Sequence, residues 1–320
     1  MTFLKPIFAT LAAIVIPAFA QQLPITIEHK FGTTVIESKP ERVATVDYAG
    51  ADNLLALGIQ PLTVRSWYGP YENGLWPWAQ ALSQKDPELL SGQLNFEQIA
   101  ATNPDVIVAI RSGITEQEYA RLSTIAPVVA VPAGWGDYDL NWEEQAMLAG
   151  RALGREADAI AQIEALNNRI ENVAASHPEW EGKTFVMLTV YNGDLGLYTQ
   201  TDSSVKTIEA LGLEVHPRVR ELSEEGQFYM TISQEIMPEL DADVVFWWVS
   251  AENASEIENL SSRTALNANA EGREIMLDGN GIASGALAHG SLISLNAAID
   301  VLVPMIEAAV DGNPETVVAD

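Results

Sequence analysis

Asn141–Pro178, NWEEQAMLAGRALGREADAIAQIEALNNRIENVAASHP, has no proline before its last residue and carries apolar residues at helical spacing. Leu148, Ala152, Ala159, Ile163, Leu166, Ile170 and Val173 recur three, four or seven apart, which is one helix face. Glu143, Glu144 and Gln145 stand near the start, where acidic side chains meet the positive end of a helix. Gly150 and Gly154 each weaken a helix by about 1 kcal/mol relative to Ala, and Pro178 closes it. Read as one helix over 141–178, about 33 helical residues at about 1.5 Å each make a rod of roughly 50 Å. That is longer than one lobe requires. The stretch is expected to be a strut between an N-terminal lobe, 21–140, and a C-terminal lobe, 179–320.

Both flanks alternate strand and helix, the pattern of α/β lobes with parallel sheets. Upstream, Ile25–His29 and Thr33–Ile36 read as a hairpin. Val43–Val46, Pro61–Val64, Val106–Ile110 and Val128–Val131 read as strands, with helices at 53–58, 95–101 and 116–125. Downstream, Thr184–Val190, Asp243–Val249 and Arg273–Leu277 read as strands, Ser203–Leu211 and Ser233–Leu240 as helices, and 290–310 as a closing helix bent near Pro304. Arg65–Lys85 breaks the rhythm. It holds Trp67, Tyr68, Tyr71, Trp76 and Trp78 among turn residues, and a loop this aromatic reads as a lining or a lid.

The two halves share a spacing. Glu97 precedes Asp105 by eight residues, and Val106-Ile107-Val108 follows. Glu235 precedes Asp243 by eight, and Val244-Val245-Phe246 follows. Each glutamate opens a helix, in Asn95-Phe96-Glu97 and Ser233-Gln234-Glu235.

Residues 1–20 have the marks of a signal peptide: Lys5, an apolar run over 7–19, and the small-x-small site Ala18-Phe19-Ala20. No later stretch is expected to span a bilayer. The 320-residue chain has no cysteine, which removes disulfides, thiol nucleophiles and a lipid-bearing cysteine. The expectation is an exported, soluble, periplasmic protein cleaved near Ala20. A net charge of −27 makes nucleic acid a poor partner.

Pro40-Glu41-Arg42-Val43, Leu54–Gly58, Asn95–Ile99 with Pro104–Ile107, and the long central helix resemble the periplasmic ferric-siderophore binding proteins of ABC importers, relatives of the vitamin B12 and haem binders. The resemblance covers nearly the whole mature chain. It implies a class III periplasmic binding protein-like fold, with two Rossmann-like α/β lobes joined by one rigid helix and the ligand in a shallow cleft between them. It also implies that Glu97 and Glu235, one per lobe, dock into arginine pockets of a membrane permease served by an ATPase, with the receptor acting as a monomer and requiring no cofactor.

A ferric catecholate, citrate or carboxylate complex is bulky and anionic, and calls for arginine forks and flat aromatic faces. Arg65 and Arg111 fall at carboxyl ends of strands, where ligands of open parallel sheets sit. Arg218 and Arg220 join them as candidates, with Trp67, Tyr68, Tyr191, Tyr229 and Trp248. Trp247 and Trp248 face opposite sides of one strand, and Trp248 is preferred. His29, His177, His216 and His289 form no metal-ligand spacing, so no direct metal site is expected. Haem or a corrinoid is the alternative ligand, with His216 or Tyr191 as haem ligand. A serine hydrolase using Ser203 and Lys206, an S-x-x-K match, is the alternative from another class; the companion S-D-N and K-T-G motifs are absent.

Overall fold

The computed structural model describes residues 23–316 and 318, so the leader expected over 1–20 lies outside them. The first lobe opens with an antiparallel hairpin, β1 (Ile25–His29) and β2 (Gly32–Ile36). Then come β3 (Val43–Thr45), α1 (Gly50–Ala56), β4 (Thr63–Arg65), α2 (Pro77–Gln80), β5 (Glu88–Leu90), α3 (Phe96–Ala101), β6 (Val106–Ala109), α4 (Glu116–Leu122) and β7 (Val128–Ala130). β3, β6 and β7 are parallel in that order, and β4 pairs with β5 in parallel. A threonine ties the two pieces together: Thr63 Oγ1 donates to Thr45 O (2.7 Å) and accepts the Thr45 N–H (2.9 Å). The strands are short and apolar because helices cover both faces.

The central stretch is two helices rather than one, which corrects the reading of 141–178. α5 (Trp142–Ala152) ends and α6 (Glu156–Ser176) begins after a tight corner. Gly154 takes φ +65°, its N–H donates to Arg151 O (3.2 Å), and the Arg155 N–H reaches back to Gly150 O (2.7 Å). That pair of bonds is a glycine C-terminal cap, so Gly154 is a stop signal rather than a weak point inside a rod. α5 packs in the first lobe through Leu148, Ala149 and Ala152. α6 crosses: Ala159 lies in the first lobe's core, and Leu166 and Ile170 lie in the second's, which α5 also touches through Ala146. Its 21 residues span about 30 Å.

The second lobe holds β8 (Thr184–Tyr191), β9 (Asp194–Tyr198), α7 (Ser203–Ala210), β10 (Glu214–Val215), α8 (Pro217–Leu222), β11 (Tyr229–Ile232), β12 (Val244–Val249), α9 (Ala254–Glu258), α10 (Asn267–Ala270), β13 (Glu274–Asp278), α11 (Ile282–His289) and α12 (Leu292–Ala309). Its sheet runs β11-β9-β8-β12-β13, with β10 beside the start of β8. β8, β12 and β13 are parallel, while β9 and β11 add an antiparallel edge. Residues 234–240 form a 3-10 helix around Pro238 rather than the α-helix expected there. α12 has the length and apolarity of a spanning helix, which the sequence reading had not granted to any later stretch. Here Leu295, Ile299, Leu302 and Ile306 bury one face in the second lobe's core.

The repeated spacing has a structural basis. β6 pairs with β3 and β12 with β8, with Val106 opposite Val43 and Val244 opposite Phe185. In each pair the preceding aspartate caps the neighbouring strand. Asp105 Oδ2 accepts the Arg42 N–H (3.1 Å), and Asp243 Oδ2 accepts the Thr184 N–H (2.8 Å).

Candidate functional site

The carboxyl ends of β3, β4 and β6 build one wall. Arg65 closes β4; its guanidinium lies 4.2 Å over the Tyr48 ring, and Nη1 donates to Ser112 O (2.7 Å). Trp67 stands 5.8 Å from Tyr48 and 4.8 Å edge-on from Tyr68, while Tyr138 leans 6.4 Å from Tyr48. Arg111 follows β6, with its guanidinium 5.4 Å from the Trp67 ring. Beneath it, the buried Asp47 Oδ1 accepts the Arg111 N–H (2.9 Å). Burial pushes the Asp47 carboxyl up to about 7, against the pull of the Arg111 and Ile110 backbone N–H groups and the two guanidiniums.

The second lobe holds an aromatic group of its own. Tyr198 at the end of β9 stands 5.3 Å from Tyr229 and 6.1 Å from Trp248. Tyr229 lies across Gly196, where an added Cβ would meet its hydroxyl at 2.1 Å. Trp247 points the other way into the core, and its Nε1–H donates to Glu274 (2.7 Å). Asp202 lies near enough to act on both Tyr198 and Arg111, while burial raises its own pKa. Its carboxylate accepts the Ser204 (2.8 Å) and Val205 (3.1 Å) N–H groups and thereby starts α7.

The floor is α11. Arg111 Nη1 donates to His289 O (2.9 Å) and Ala288 O (3.3 Å), the negative end of that helix. Tyr68 hydroxyl donates to Ser284 O (3.3 Å). His289 is buried among Trp67, Tyr68, Trp76 and Trp78, and its Nδ1–H donates to Gly285 O (2.8 Å). Burial holds its pKa down, which favours the neutral ring. Below, Asp52 Oδ2 accepts from Ser291 Oγ (2.7 Å) and Trp78 Nε1 (2.9 Å). Among the described residues, no group of three or more metal-ligating side chains comes together.

Residues 43–279 match the sequence profile of the periplasmic binding protein family. The chain belongs to that family. It is 27% identical over 248 residues to the probable siderophore-binding lipoprotein YfiY of Bacillus subtilis, covering 74% of this chain and 73% of that one. It is 26% identical over 224 residues to the Fe(3+) dicitrate-binding periplasmic protein FecB of Escherichia coli, covering 67% and 69%. The fold superposes on Streptococcus pneumoniae PiaA in complex with ferrichrome at a TM-score of 0.74 and 27% identity, over 90% of this chain and 99% of that one.

In this periplasmic binding protein, Arg65, Trp67, Tyr68 and Arg111 come together in one group, and Tyr229 and Trp248 meet through Tyr198 in another. Tyr191 sits at the β8–β9 turn, 71% exposed and apart from both groups. Arg218 is held by Glu221 (2.9 Å) and Glu239 (2.8 Å), and Arg220 by Glu209, so both are in ion pairs of their own on α8. His216 caps that helix, its Nδ1 accepting the Arg218 N–H (3.3 Å). Ser203 and Lys206 are neighbours at the start of α7, an ordinary capped helix end. Glu97 and Glu235 are both exposed, just after the capping residues Asn95 and Ser233.

Sequence reasoning had not assigned Tyr48, Tyr138, Tyr198, Asp47 or Asp202 to the cleft. Asp47 and Tyr48 carried a readable signal, since they directly follow the β3 strand. Tyr198 carried none, because it ends an antiparallel strand, where the carboxyl-end rule does not apply.

Proposed function

We propose that the protein is the substrate-binding component of an ABC importer, and that it captures a ferric siderophore between its two lobes. The observation that supports this reading is the meeting of the two lobes at Arg111: with Arg65, Tyr48 and Trp67 grouped about it at the carboxyl ends of β4 and β6, it reaches onto the end of α11 in the second lobe. Rings supply flat apolar area for a chelate shell, and guanidiniums supply donors for its oxygen atoms. Iron would enter inside its chelator, so the protein need supply no ligand set. YfiY, FecB and ferrichrome-bound PiaA support the same reading by likeness. In this reading residues 1–20 direct export, Glu97 and Glu235 meet the permease, and the receptor works as a monomer without catalysis.

Trp67 lies beside Arg111 and Trp248 beside Tyr198, so intrinsic tryptophan fluorescence is used to report occupancy. Ferrichrome, ferric dicitrate, a ferric tricatecholate, haem and cobalamin are titrated in turn into the mature protein. Quenching by a ferric siderophore at micromolar concentration or below is expected. Binding of haem or cobalamin alone would replace this reading with the haem or corrinoid one.

A further inference from the structure

Arg111 stands beyond the last residue of β6, Ala109, and the end of β3 holds its backbone from both sides. Asp47 Oδ1 accepts the Arg111 N–H (2.9 Å), and the Tyr48 N–H donates to Arg111 O (3.2 Å). Asp47 is itself fixed. Its own N–H donates to Thr45 Oγ1 (3.1 Å), and α1 begins against it at a residue without a side chain: a Cβ added at Gly50 would stand 2.6 Å from Asp47 Cβ and 2.1 Å from Thr45 Oγ1. The side chain is buried. It meets the main chain of Arg111, while the Arg111 guanidinium reaches His289 O and that of Arg65 reaches Ser112 O.

Arg111 and Arg65 both act on Asp47. Around Arg111 stand Tyr68, Tyr138 and, from the second lobe, Asp202 and His289, and His289 also feels Asp52 of α1. Asp47 is thus a buried carboxyl behind the two arginines, bonded to the backbone of one and close enough to both to change the potential they present.

We propose that Asp47 is a positioning residue of this site: it holds Arg111 in place and sets how much positive charge Arg111 and Arg65 offer to the oxygen atoms of a chelator. This deepens the siderophore reading and rests on it. Without the carboxyl group the buried Arg111 N–H loses its acceptor, and the backbone that carries the guanidinium is released. Its charge acts separately from its geometry. The folded carboxyl titrates at about 7, so it is neutral in mild acid and ionised in mild base. Once ionised, it offsets the guanidiniums where little water screens it. Capture of an oxygen-rich complex therefore weakens as pH rises through that value, and binding near it draws a proton onto Asp47.

The test titrates ferric dicitrate and ferrichrome, by tryptophan fluorescence, into the parent, Asp47→Asn and Asp47→Ala proteins in mild acid and in mild base. For the complex that binds, the affinity of Asp47→Asn relative to the parent is expected to rise at least about threefold from the acid to the basic side, since the amide keeps the acceptor and cannot ionise. The ratio cancels any change in the iron complex itself, which both proteins meet alike. Asp47→Ala, which removes the acceptor, is expected to bind at least about tenfold more weakly than Asp47→Asn on both sides. A ratio that does not move with pH, or an alanine variant that binds as tightly as the asparagine one, overturns the inference while leaving the siderophore reading in place. Failure of both complexes to bind the parent at micromolar concentration removes the siderophore reading and this inference with it.

Discussion

Trp76 fills the space that Gly285 leaves open: a Cβ added at Gly285 would stand 2.3 Å from the indole ring. Trp76 belongs to the loop after β4 and is 2% exposed, and Gly285 lies inside α11 of the other lobe. This seat fastens the aromatic loop across the inter-lobe seam. Alanine at 285 would favour the helix by about 1 kcal/mol in isolation. Displacing a buried indole costs more, so Gly285→Ala should destabilise by about 1–3 kcal/mol in urea unfolding. A neutral or stabilising result would show that Trp76 is not held there.

The corner between α5 and α6 gives a second prediction. At Gly154 an added Cβ meets little beyond Ile25 Cδ1 at 3.8 Å, so the cost of Gly154→Ala is conformational, about 1–2 kcal/mol for a left-handed backbone. At Gly150 the same addition meets the Ala159 Cβ at 2.5 Å and Arg155 O at 3.2 Å. Gly150→Ala should therefore be the more damaging of the two, as read by thermal unfolding of both variants side by side.

Asp47 makes stability depend on pH. Its folded pKa, about 7, lies above the ordinary 3.8, so between these values the native state binds the extra proton. Stability is greatest at the acid end of that window and falls as pH rises through it, by up to about 4 kcal/mol. Asp47→Asn keeps an oxygen for the Arg111 N–H and cannot ionise. Its unfolding midpoint should exceed the parent's at pH 8 and converge with it near pH 4. Parallel curves across that range would refute the assignment.

Glu97 and Glu235 are exposed; Glu97 has a loose partner, Arg121, at 3.9 Å. Surface pairs of this kind contribute about 0–1 kcal/mol. The double change Glu97→Lys with Glu235→Lys should leave folding and ligand affinity within error while abolishing uptake in a reconstituted importer. Undiminished uptake would remove the docking role.

Alternation of strand and helix made the two-lobe α/β architecture legible, because short apolar strands between amphipathic helices admit few other arrangements. The repeat was legible for a reason visible only in three dimensions: Asp105 and Asp243 each tie a central strand to its neighbour. The broken strut was misread because the apolar stripe continues across the corner. Leu148, Ala152, Ala159 and Ile163 keep helical spacing although Gly154 reverses the backbone between them. Periodicity reports which faces are buried, and the left-handed glycine reports the break.

The cleft was half legible. Arg65 and Arg111 obey the carboxyl-end rule. Arg218 and Arg220 looked equivalent in sequence, but acidic neighbours brought near by folding, Glu209 and Glu239, engage them. Nothing local announces such partners.

The hydrogen bond between Ser291 and Asp52 joins positions 239 residues apart. The first lobe's helix α1 thus leaves a buried carboxylate with one of its donors missing until the last tenth of the chain has arrived. Such sequence separation slows folding, since distant segments must meet before their contact repays the ordering. A ribosome-bound or half-translocated chain, however complete its first lobe in sequence, cannot close this site. Closing this site therefore waits for the end of the chain, and fragments ending before Ser291 are expected to be more protease-sensitive than the full chain.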